Sequence, residues 1–470
     1  METLQRTANR GSISTGFDID NSLKLESDNT EYLTYTPSST TNVKTWTFSC
    51  WVKRTELYNG SNTQHLLGHF TDGSNHSAFR FDDADVLELR NVVTGNIYEL
   101  KTDQVFRDTS AWYHIVIAFD TTQATASNRT KVYVNGNQVT LSGTYTALNQ
   151  ITYINTSGDA MGVGTLAGFG NHFNGYMAEV HHIDGQQLAA SDFGEFDEDT
   201  GIWKPKAYTG SYGTNGFYLD FKDSASLGAD DSGNGNNFTL NNITSVDQAT
   251  DTPTNNFCLI NTLQPADQTV TNGATIWSNT VANSWRSSVA NTGVNNGKWY
   301  YEITIDTGGY NMVGITGENG INTLLGTYLG ASANATNASY GYLGNGVIYN
   351  NAGTPTTGLP TFGGGNIISI ALDMDNGYLY FAKNGSWVNS GDPTSGSSGT
   401  GGWALYDSSE TQFFASSIYS SSDSLKYNFG GFYYTTISTA ETDSNGMGIF
   451  EYAPPSGYYA LCSKNLAEFG

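Results

Sequence analysis

The chain has 470 residues, of which 13% are aromatic and only 14% are charged, and its formal net charge is −24. This negative balance excludes the basic surface that nucleic acid binding requires, and it disfavours binding to an anionic membrane. No apolar run is long enough for a transmembrane helix. The 54 glycines and the excess of Tyr and Phe over Met favour an all-β, turn-rich protein.

The first segment, residues 1–16, is polar and contains Arg6 and Arg10. It has no apolar stretch of the kind found in a Sec signal peptide. We expect an extended arm that is either a frayed terminus or an anchor that docks on a larger assembly. The three cysteines are far apart and form no CxxC pair, which fits folding in a reducing cytoplasm.

The next segment, residues 17–250, is predicted to be a β-sandwich. Short apolar-alternating runs are separated by clusters of Gly, Asn, Asp and Ser. Within them, Cys50 and His114 are expected in the core, and Asn135-Gly136 is typical of a tight type I′ hairpin. The predicted strands are residues 22–25, 32–35, 45–53, 64–69, 78–81, 86–91, 112–120, 131–135 and 175–183.

Five ordered motifs in this segment resemble a concanavalin A-like, laminin G-type domain. They are LKL at 23–25, WTFSCWV at 46–52, WYHIV at 112–116, VYVNG at 132–136 and GYMAEV at 175–180. The resemblance implies a jelly-roll sandwich that in some relatives holds Ca²⁺ at its rim.

A polar stretch with Pro253, residues 251–257, is predicted to be a linker, and residues 258–435 a second sandwich. The motifs KWYYEITI at 298–305, NMVGIT at 311–316, SYGY at 339–342, IISIALD at 367–373, the Asn384-Gly385 hairpin and YNFG at 427–430 resemble a SPRY domain. Residues 436–470 contain enough apolar groups to form a packed C-terminal tail. The predicted fold is therefore two tandem antiparallel β-sandwiches with short terminal arms.

The layout as a whole resembles structural proteins of marine bacteriophages. The resemblance rests on the LQRT and NRGSISTG start, the two sandwich types in this order, and the PPSGYYAL segment followed by Asn465-Leu466. It implies a location on the virion surface, with other virion proteins as partners and a homo-oligomeric state.

One acidic segment imitates a catalytic motif. Glu195, Asp197 and Asp199 would share one face of a strand, as in glycoside hydrolases of the concanavalin A-like fold. The flanking glycines and the shorter third side chain favour a solvated acidic turn instead, so we expect no enzyme activity.

Two kinds of binding site are expected. Loop aromatics with polar neighbours predict carbohydrate stacking by Trp203, Tyr208, Tyr212, Tyr328 and Tyr340. Loop oxygens make Ca²⁺ the one cofactor candidate, with Asp72, Asn75, Asp230 and Asp231 as ligands. The sequence thus predicts a non-catalytic phage surface protein, a capsid decoration, head fibre or tail fibre adhesin, that binds host-surface or environmental glycans. A secreted bacterial lectin and a glycoside hydrolase are the alternatives.

Overall fold

The computed structural model describes residues 16–58, 60, 63–263, 267–324, 326–331, 339–350, 355–437 and 439–470. The predicted anchor residues Arg6 and Arg10 lie outside these ranges. The described chain forms two compact units that divide between Thr254 and Asn255. Within the described part, no helix has the length and apolar character needed to cross a bilayer.

The first unit is built almost entirely of strands. Helical turns occur at Ala126–Arg129, Ala190–Asp192 and Ser245–Asp247. The strands are β1 (Ser22–Leu25), β2 (Tyr32–Tyr35), β3 (Thr45–Arg54), β4 (Gln64–Asp72), β5 (Asn75–Phe81), β6 (Val86–Val93), β7 (Asn96–Val105), β8 (Trp112–Asp120), β9 (Thr130–Val134), β10 (Asn137–Gln138), β11 (Leu141–Gly143), β12 (Met161–Val163), β13 (Gly175–Asp184), β14 (Gly194–Phe196), β15 (Trp203–Pro205), β16 (Phe217–Leu219), β17 (Thr239–Asn241) and β18 (Gln248–Ala249).

Two antiparallel sheets form the sandwich of the first unit. Sheet I has the order β10-β9-β8-β3-β13-β1-β18, with β16 also paired to β13, and sheet II has the order β11-β7-β6-β5-β4-β12-β2-β17. Between them, β3 contributes Trp46, Phe48, Cys50 and Val52 to the core, in the period of two that a half-buried strand requires. Thr47, Ser49, Trp51 and Lys53 alternate with them and lie on the outer face of sheet I, whereas Arg54 points inward and stacks on Phe81 of sheet II.

The second unit repeats the two-layer plan. Helical turns occur at Glu318–Gly320, Ile321–Leu324, Val388–Ser390, Gly396–Ser398 and Ser463–Phe469. The strands are β19 (Gln268–Thr271), β20 (Ile276–Asn279), β21 (Arg286–Val294), β22 (Lys298–Ile305), β23 (Asn311–Gly317), β24 (Ser339–Leu343), β25 (Val347–Asn350), β26 (Ile367–Asp373), β27 (Tyr378–Lys383), β28 (Ser386–Trp387), β29 (Trp403–Ala404), β30 (Gln412–Ile418), β31 (Ser424–Asn428) and β32 (Tyr459–Ala460). Sheet III has the order β19-β20-β31-β22-β26-β27-β28, and sheet IV has the order β21-β30-β23-β24-β25.

These sheets confirm the prediction of an all-β fold with two antiparallel sandwiches. Both predicted hairpins are present, because β9 pairs with β10 and β27 pairs with β28. The central residues have positive φ, +46° and +81° at Asn135-Gly136 and +48° and +76° at Asn384-Gly385. This is the conformation that a type I′ turn needs and that Asn and Gly adopt at low cost.

The residues predicted to be a linker are built into the two units. Asp251 is fully buried in the first unit, where it accepts hydrogen bonds from Lys53 Nζ at 2.8 Å and Trp112 Nε1 at 3.1 Å. Phe257 and Cys258 are buried in the cores of the second unit. The polar composition of residues 251–257 therefore reflects buried hydrogen bonding as well as turns.

One buried carboxylate helps to hold the C-terminal segment of the second unit against β22, beside an apolar cluster that contains Phe450 and Tyr458. Glu302 in β22 accepts hydrogen bonds from the backbone N–H of Glu451 at 2.9 Å and of Tyr452 at 2.8 Å, and from the Tyr300 hydroxyl at 2.8 Å. Downstream, β32 pairs in parallel with β22. Burial raises the pKa of Glu302 from its usual 4.5 to about 7, although these donors act in the opposite direction.

We expect the stability of the second unit to fall as the pH rises through the titration of Glu302. The folded state binds this proton more tightly than the unfolded chain, so its stabilising effect is complete below about pH 4.5 and is lost by about pH 7. The slope is at most about 1.4 kcal/mol per pH unit. This slope is measured by urea unfolding of the full chain at several pH values, with hydrogen exchange of residues 441–460 as the probe.

The matched variants are Glu302→Gln and Glu468→Gln. The first removes the titrating group and should flatten this part of the pH dependence, whereas the second changes an exposed carboxylate and should leave the slope intact. An unchanged slope in Glu302→Gln would contradict the assignment.

Candidate functional site

Five aromatic side chains of the second unit form a continuous series, here called the aromatic ribbon: Tyr310, Tyr419, Trp285, Tyr328 and Tyr349. Successive ring centroids lie 6.2, 5.3, 5.2 and 5.8 Å apart in that order. Tyr310 is 63% exposed, and the other four rings are half-buried. The ribbon therefore presents parts of its rings to solvent.

The ribbon lies on the outer face of sheet IV. Neighbouring residues of these strands alternate between two faces: Val313 and Phe414 enter the main core, whereas Met312 and Ala415 belong to a smaller outer cluster. Trp285, Tyr328 and Tyr349 pack against that outer cluster. The outer cluster of sheet IV thus packs against these three rings, which limits their conformational freedom before any ligand binds.

The polar groups beside the ribbon are largely neutral or paired. Arg286 forms an ion pair with Asp267 at 2.8 Å and donates to the Trp285 carbonyl oxygen at 2.9 Å. Asn350 follows Tyr349 but lies on the opposite face of β25, where it pairs with the core-facing Tyr340 and where its buried Oδ1 has no hydrogen-bond partner among the described residues. The ribbon rings themselves, each with an apolar face and a polar hydroxyl or N–H edge, suit a neutral polyhydroxylated ligand.

Of the predicted carbohydrate-stacking residues, Tyr328 lies in the ribbon and Tyr340 does not. Tyr340 is only 3% exposed, and its hydroxyl donates to the Ala404 carbonyl oxygen at 2.9 Å. The prediction for Tyr340 is wrong, because its side of β24 faces the core. The other ribbon residues were not predicted from the sequence, because they come together only when sheet IV forms: Trp285, Tyr310, Tyr349 and Tyr419.

In the first unit, Trp203, Tyr208 and Tyr212 lie together on the outer face of sheet I, around a small apolar cluster that includes Val116 and Phe193. Trp203 Nε1 donates to His114 Nδ1 at 3.0 Å. His114 Nε2 therefore carries the ring proton and donates to Ser49 Oγ at 2.9 Å. The indole N–H of Trp203 is therefore already hydrogen-bonded within the unit.

Burial lowers the pKa of His114 to about 3, which keeps the imidazole neutral at physiological pH. Its ring also stacks on Trp51, with centroids 4.8 Å apart. His114 is thus a buried, hydrogen-bonded core residue, as the sequence predicts.

Tyr212 joins a second buried network centred on Glu179. The Tyr212 hydroxyl lies 3.0 Å from His181 Nδ1, and the His181 ring stacks on Tyr218 with centroids 4.3 Å apart. The Tyr218 hydroxyl donates to both carboxylate oxygens of Glu179, at 2.9 and 2.8 Å. Burial, followed by the charge of Glu179, raises the pKa of Tyr218 far above its usual value. Tyr208 completes the group by packing on Phe193.

A β-bulge in β13 creates this network. The register of β13 against β3 shifts between Ala178 and His181, and Glu179 has a φ of +49°. Met177 faces the main core, so strict alternation would turn Glu179 and His181 to the core as well, and the bulge reverses this by placing both on the outer face. The sequence contains no direct sign of the bulge, so Glu179 and Tyr218 were not predicted as partners of Tyr212.

The predicted Ca²⁺ residues form two local turns. Both carboxylate oxygens of Asp72 accept from Asn75 Nδ2 at 2.9 Å. Asp230 accepts from the backbone N–H groups of Tyr218, Ser232 and Asn236 and from the Ser232 hydroxyl, at 2.8–2.9 Å. The neighbouring Asp231 side chain is exposed. Among the described residues, no three His, Cys, Asp or Glu side chains are grouped closely enough to hold a metal ion.

The acidic segment that imitates a catalytic motif begins in a short hairpin. β14 pairs with β15, and Lys204 Nζ lies 3.5 Å from Glu195 Oε1 and 3.2 Å from Asp197 Oδ2. Asp197 also accepts from the backbone N–H groups of Asp199 and Thr200. Lys204 thus pairs with Glu195, the nucleophile position of that motif, and with Asp197, the middle acid, which is also held by the backbone of the turn.

We expect Asp230→Ala to destabilise the first unit by about 1–3 kcal/mol, because the donors that Asp230 accepts from lose their acceptor. Asp231→Ala, which changes the exposed neighbour, should stay within about 0.5 kcal/mol of the unchanged chain. Thermal unfolding measures both variants. Because the Asp230 oxygens already accept hydrogen bonds from their own loop, Ca²⁺ and EDTA should not shift the melting temperature. A Ca²⁺-dependent rise that Asp230→Ala abolishes would contradict this interpretation.

Comparison with protein-family models identifies two domain types. The concanavalin A-like lectin/glucanases superfamily, in its laminin G form, matches residues 27–189, and the SPRY domain matches residues 298–431. The chain therefore carries a concanavalin A-like domain and a SPRY domain in tandem, as the motifs indicate. These domain types fit a binding role. No curated protein matches the chain.

Similar solved structures share little sequence with the chain. The SPRY domain of human HERC1 is 20% identical with a TM-score of 0.27, and the match covers 35% of this chain and 95% of that one. A human SPRY domain is 16% identical with a TM-score of 0.25, covering 36% and 93%. The heptameric SAP-like pentraxin from Limulus polyphemus is 17% identical with a TM-score of 0.28, covering 37% and 80%.

Proposed function

We propose that the chain is a non-catalytic, glycan-binding protein of a bacteriophage virion surface. The aromatic ribbon of the SPRY domain is the observation that carries the glycan-binding part. It supplies several adjacent partly exposed rings, backed by sheet IV, and the neighbouring charges of Arg286 and Asp267 neutralise each other. A partly exposed aromatic surface on a soluble domain typically marks an interaction site.

A neutral or weakly charged glycan is the ligand class that this surface suits best. Stacking uses the apolar faces of sugar rings, and the tyrosine hydroxyls of the ribbon offer hydrogen-bonding partners to the sugar hydroxyls. The net charge of −24 repels polyanions at low salt, which disfavours nucleic acid and strongly acidic polysaccharides.

The virion location rests on the sequence resemblance to structural proteins of marine phages. The same resemblance suggests other virion proteins as partners, a homo-oligomeric state, and anchoring through residues 1–16 with Arg6 and Arg10. Capsid decoration, a head fibre and a tail fibre adhesin are all compatible with a protein that displays two binding sandwiches.

We expect Trp285→Ala and Tyr328→Ala each to weaken glycan binding about tenfold, which corresponds to about 1.4 kcal/mol. The reason is that each removes a ring from the middle of the ribbon. A glycan array with the full chain identifies the ligand, and calorimetry on the best glycan measures the loss.

Tyr406→Ala is the matched control, because Tyr406 is 67% exposed and makes none of the ribbon's ring contacts. It should bind like the unchanged chain. Hydrogen exchange across β21 and β25 checks that the two ribbon variants remain folded. If all three variants bind the glycan equally well, the ribbon is not the binding site. If the unchanged chain binds no glycan on the array, the glycan-binding proposal is wrong.

Gold labelling of intact phage particles with an antibody against this chain tests the virion location. Label over the head is expected for a capsid decoration or head fibre, and label on the tail for a receptor-binding role. Particles without label, in a lysate that contains the chain, would contradict a virion location and favour a free lectin.

A further inference from the structure

A lysine and two carboxylates are buried together at the edge of sheet I. Lys24 Nζ lies 2.7 Å from Glu31 Oε2 and 2.7 Å from Asp247 Oδ1. The side chains of Lys24, Glu31 and Asp247 are only 1%, 4% and 6% exposed. The amine is therefore in hydrogen-bonding contact with both carboxyl groups, in a site that excludes bulk water.

The three side chains join the first and last strands of the first unit. Lys24 lies in β1, and Asp247 directly precedes β18, which pairs with β1 through Ser22↔Ala249 and Leu23↔Gln248. Lys24 and Asp247 are far apart in sequence, but this pairing fixes them side by side.

Each carboxyl group is held in a distinct way. Asp247 Oδ2, the oxygen that does not contact Lys24, accepts from the Thr244 N–H at 2.7 Å and from the Thr244 hydroxyl at 3.2 Å. Glu31 Oε2 accepts from the Glu26 N–H at 2.8 Å, and Glu31 Oε1 accepts from Asn29 Nδ2 at 3.1 Å. Asp247 thus has two donors on the one oxygen where negative charge would develop if its carbon were attacked.

We propose that Lys24 and Asp247 condense to form an intramolecular amide bond, with Glu31 as the group that transfers protons between them. The bond would be a covalent cross-link between β1 and the segment that leads into β18.

The step balances without any further reactant. The Lys24 ammonium gives one proton to the Asp247 carboxylate, and the neutral amine then attacks the Asp247 carboxyl carbon to form a C–N bond. The hydroxyl at Oδ1 takes a proton from the Glu31 carboxyl group and leaves as water, while the nitrogen returns a proton to Glu31. One ammonium and one carboxylate thus become one amide and one water, and Glu31 is regenerated.

The surroundings favour this reaction in three ways. Fixed contact between the amine and the carboxyl group replaces a bimolecular encounter. Condensation removes two buried charges, each of which is costly to keep out of water. Burial also raises the pKa of Glu31 above its usual value, although Lys24 acts in the opposite direction, and this favours the protonated form that a proton donor needs.

Lys101 offers a comparison within the same unit. Its Nζ lies 2.7 Å from Asp82 Oδ2 and 3.1 Å from Glu88 Oε2, but its side chain is 36% exposed. Water solvates this ammonium, so it stays charged and does not attack a carboxyl group. The expected difference between Lys24 and Lys101 therefore comes from burial rather than from contact distance. The pair of Lys53 and Asp251 is also buried and 2.8 Å apart, and what distinguishes Lys24 in the proposal is the second carboxyl group, Glu31, which transfers the protons.

The test is the mass of the full chain under denaturing conditions. We expect it to be lower than the sequence mass by one water molecule, allowing for removal of Met1. In a tryptic digest, the bond should join residues 11–44, uncut at Lys24, to residues 223–286. A full-length chain whose mass equals the sequence mass, with no loss of water, would overturn the proposal.

The same digest separates the competing bonds. Condensation of Lys24 with Glu31 would leave the loss within residues 11–44 alone, and a bond between Lys53 and Asp251 would join residues 45–54 to residues 223–286. Either result would overturn the assignment to Lys24 and Asp247.

Variants test the role of each group. Lys24→Arg and Asp247→Ala should restore the sequence mass, and Glu31→Gln should do the same because Gln cannot transfer the proton. Lys101→Arg is the matched control and should keep the loss of water. If every Glu31→Gln chain is still lighter by one water molecule, the assignment of proton transfer to Glu31 is wrong. Where a variant fails to fold, the digest of the unchanged chain decides whether the bond exists.

Discussion

Burial of sheet I on both faces is the constraint on which the first unit depends. All ten residues of β13 are buried, although its alternate side chains point away from the main core. The segment that follows β13 covers the outer face, so every polar group there needs a partner inside the unit. The contacts of His114 with Trp203 and Ser49, and of Glu179 with Tyr218, meet this requirement. So do the ion pairs of Lys24 and Lys53, which tie the last residues of the unit to its first strands.

Much of the fold could be predicted because alternation and turn chemistry are local. The limits predicted for β1, β2 and β8 agree with the structure, as do both Asn-Gly hairpins. β7 was missed because its sequence, NIYELKTDQV, is mostly polar and Ile97 is exposed. Its place in sheet II depends on pairing with β6 and β11, which no short window of sequence contains.

The sites were harder to predict because they depend on which face of a strand each residue occupies and on pairing between strands that are far apart in sequence. Tyr328 and Tyr340 occur in similar surroundings of Gly, Tyr and Asn, yet one lies at the surface and the other in the core. The ribbon collects residues from between positions 285 and 419, and Glu179 reaches the outer face only through a bulge. Residue composition pointed to aromatic-rich segments, but Trp203 and Tyr340 lie in strands rather than loops, and composition carried no information about which side of a strand each ring occupies.

The two units use their aromatic residues in opposite ways, and this difference supports the placement of the proposed site. In the concanavalin A-like domain, Trp203 and Tyr212 direct their polar groups to the Nδ1 atoms of buried His114 and His181, so rotating them towards a ligand would remove the hydrogen-bond partners of those two nitrogens. A buried polar group without a partner costs about 1–3 kcal/mol. In the SPRY domain, the ribbon rings pack mainly on one another and on the apolar cluster beneath them. Their contact with a ligand would break none of the hydrogen bonds described above, which makes the ribbon the less costly surface to use.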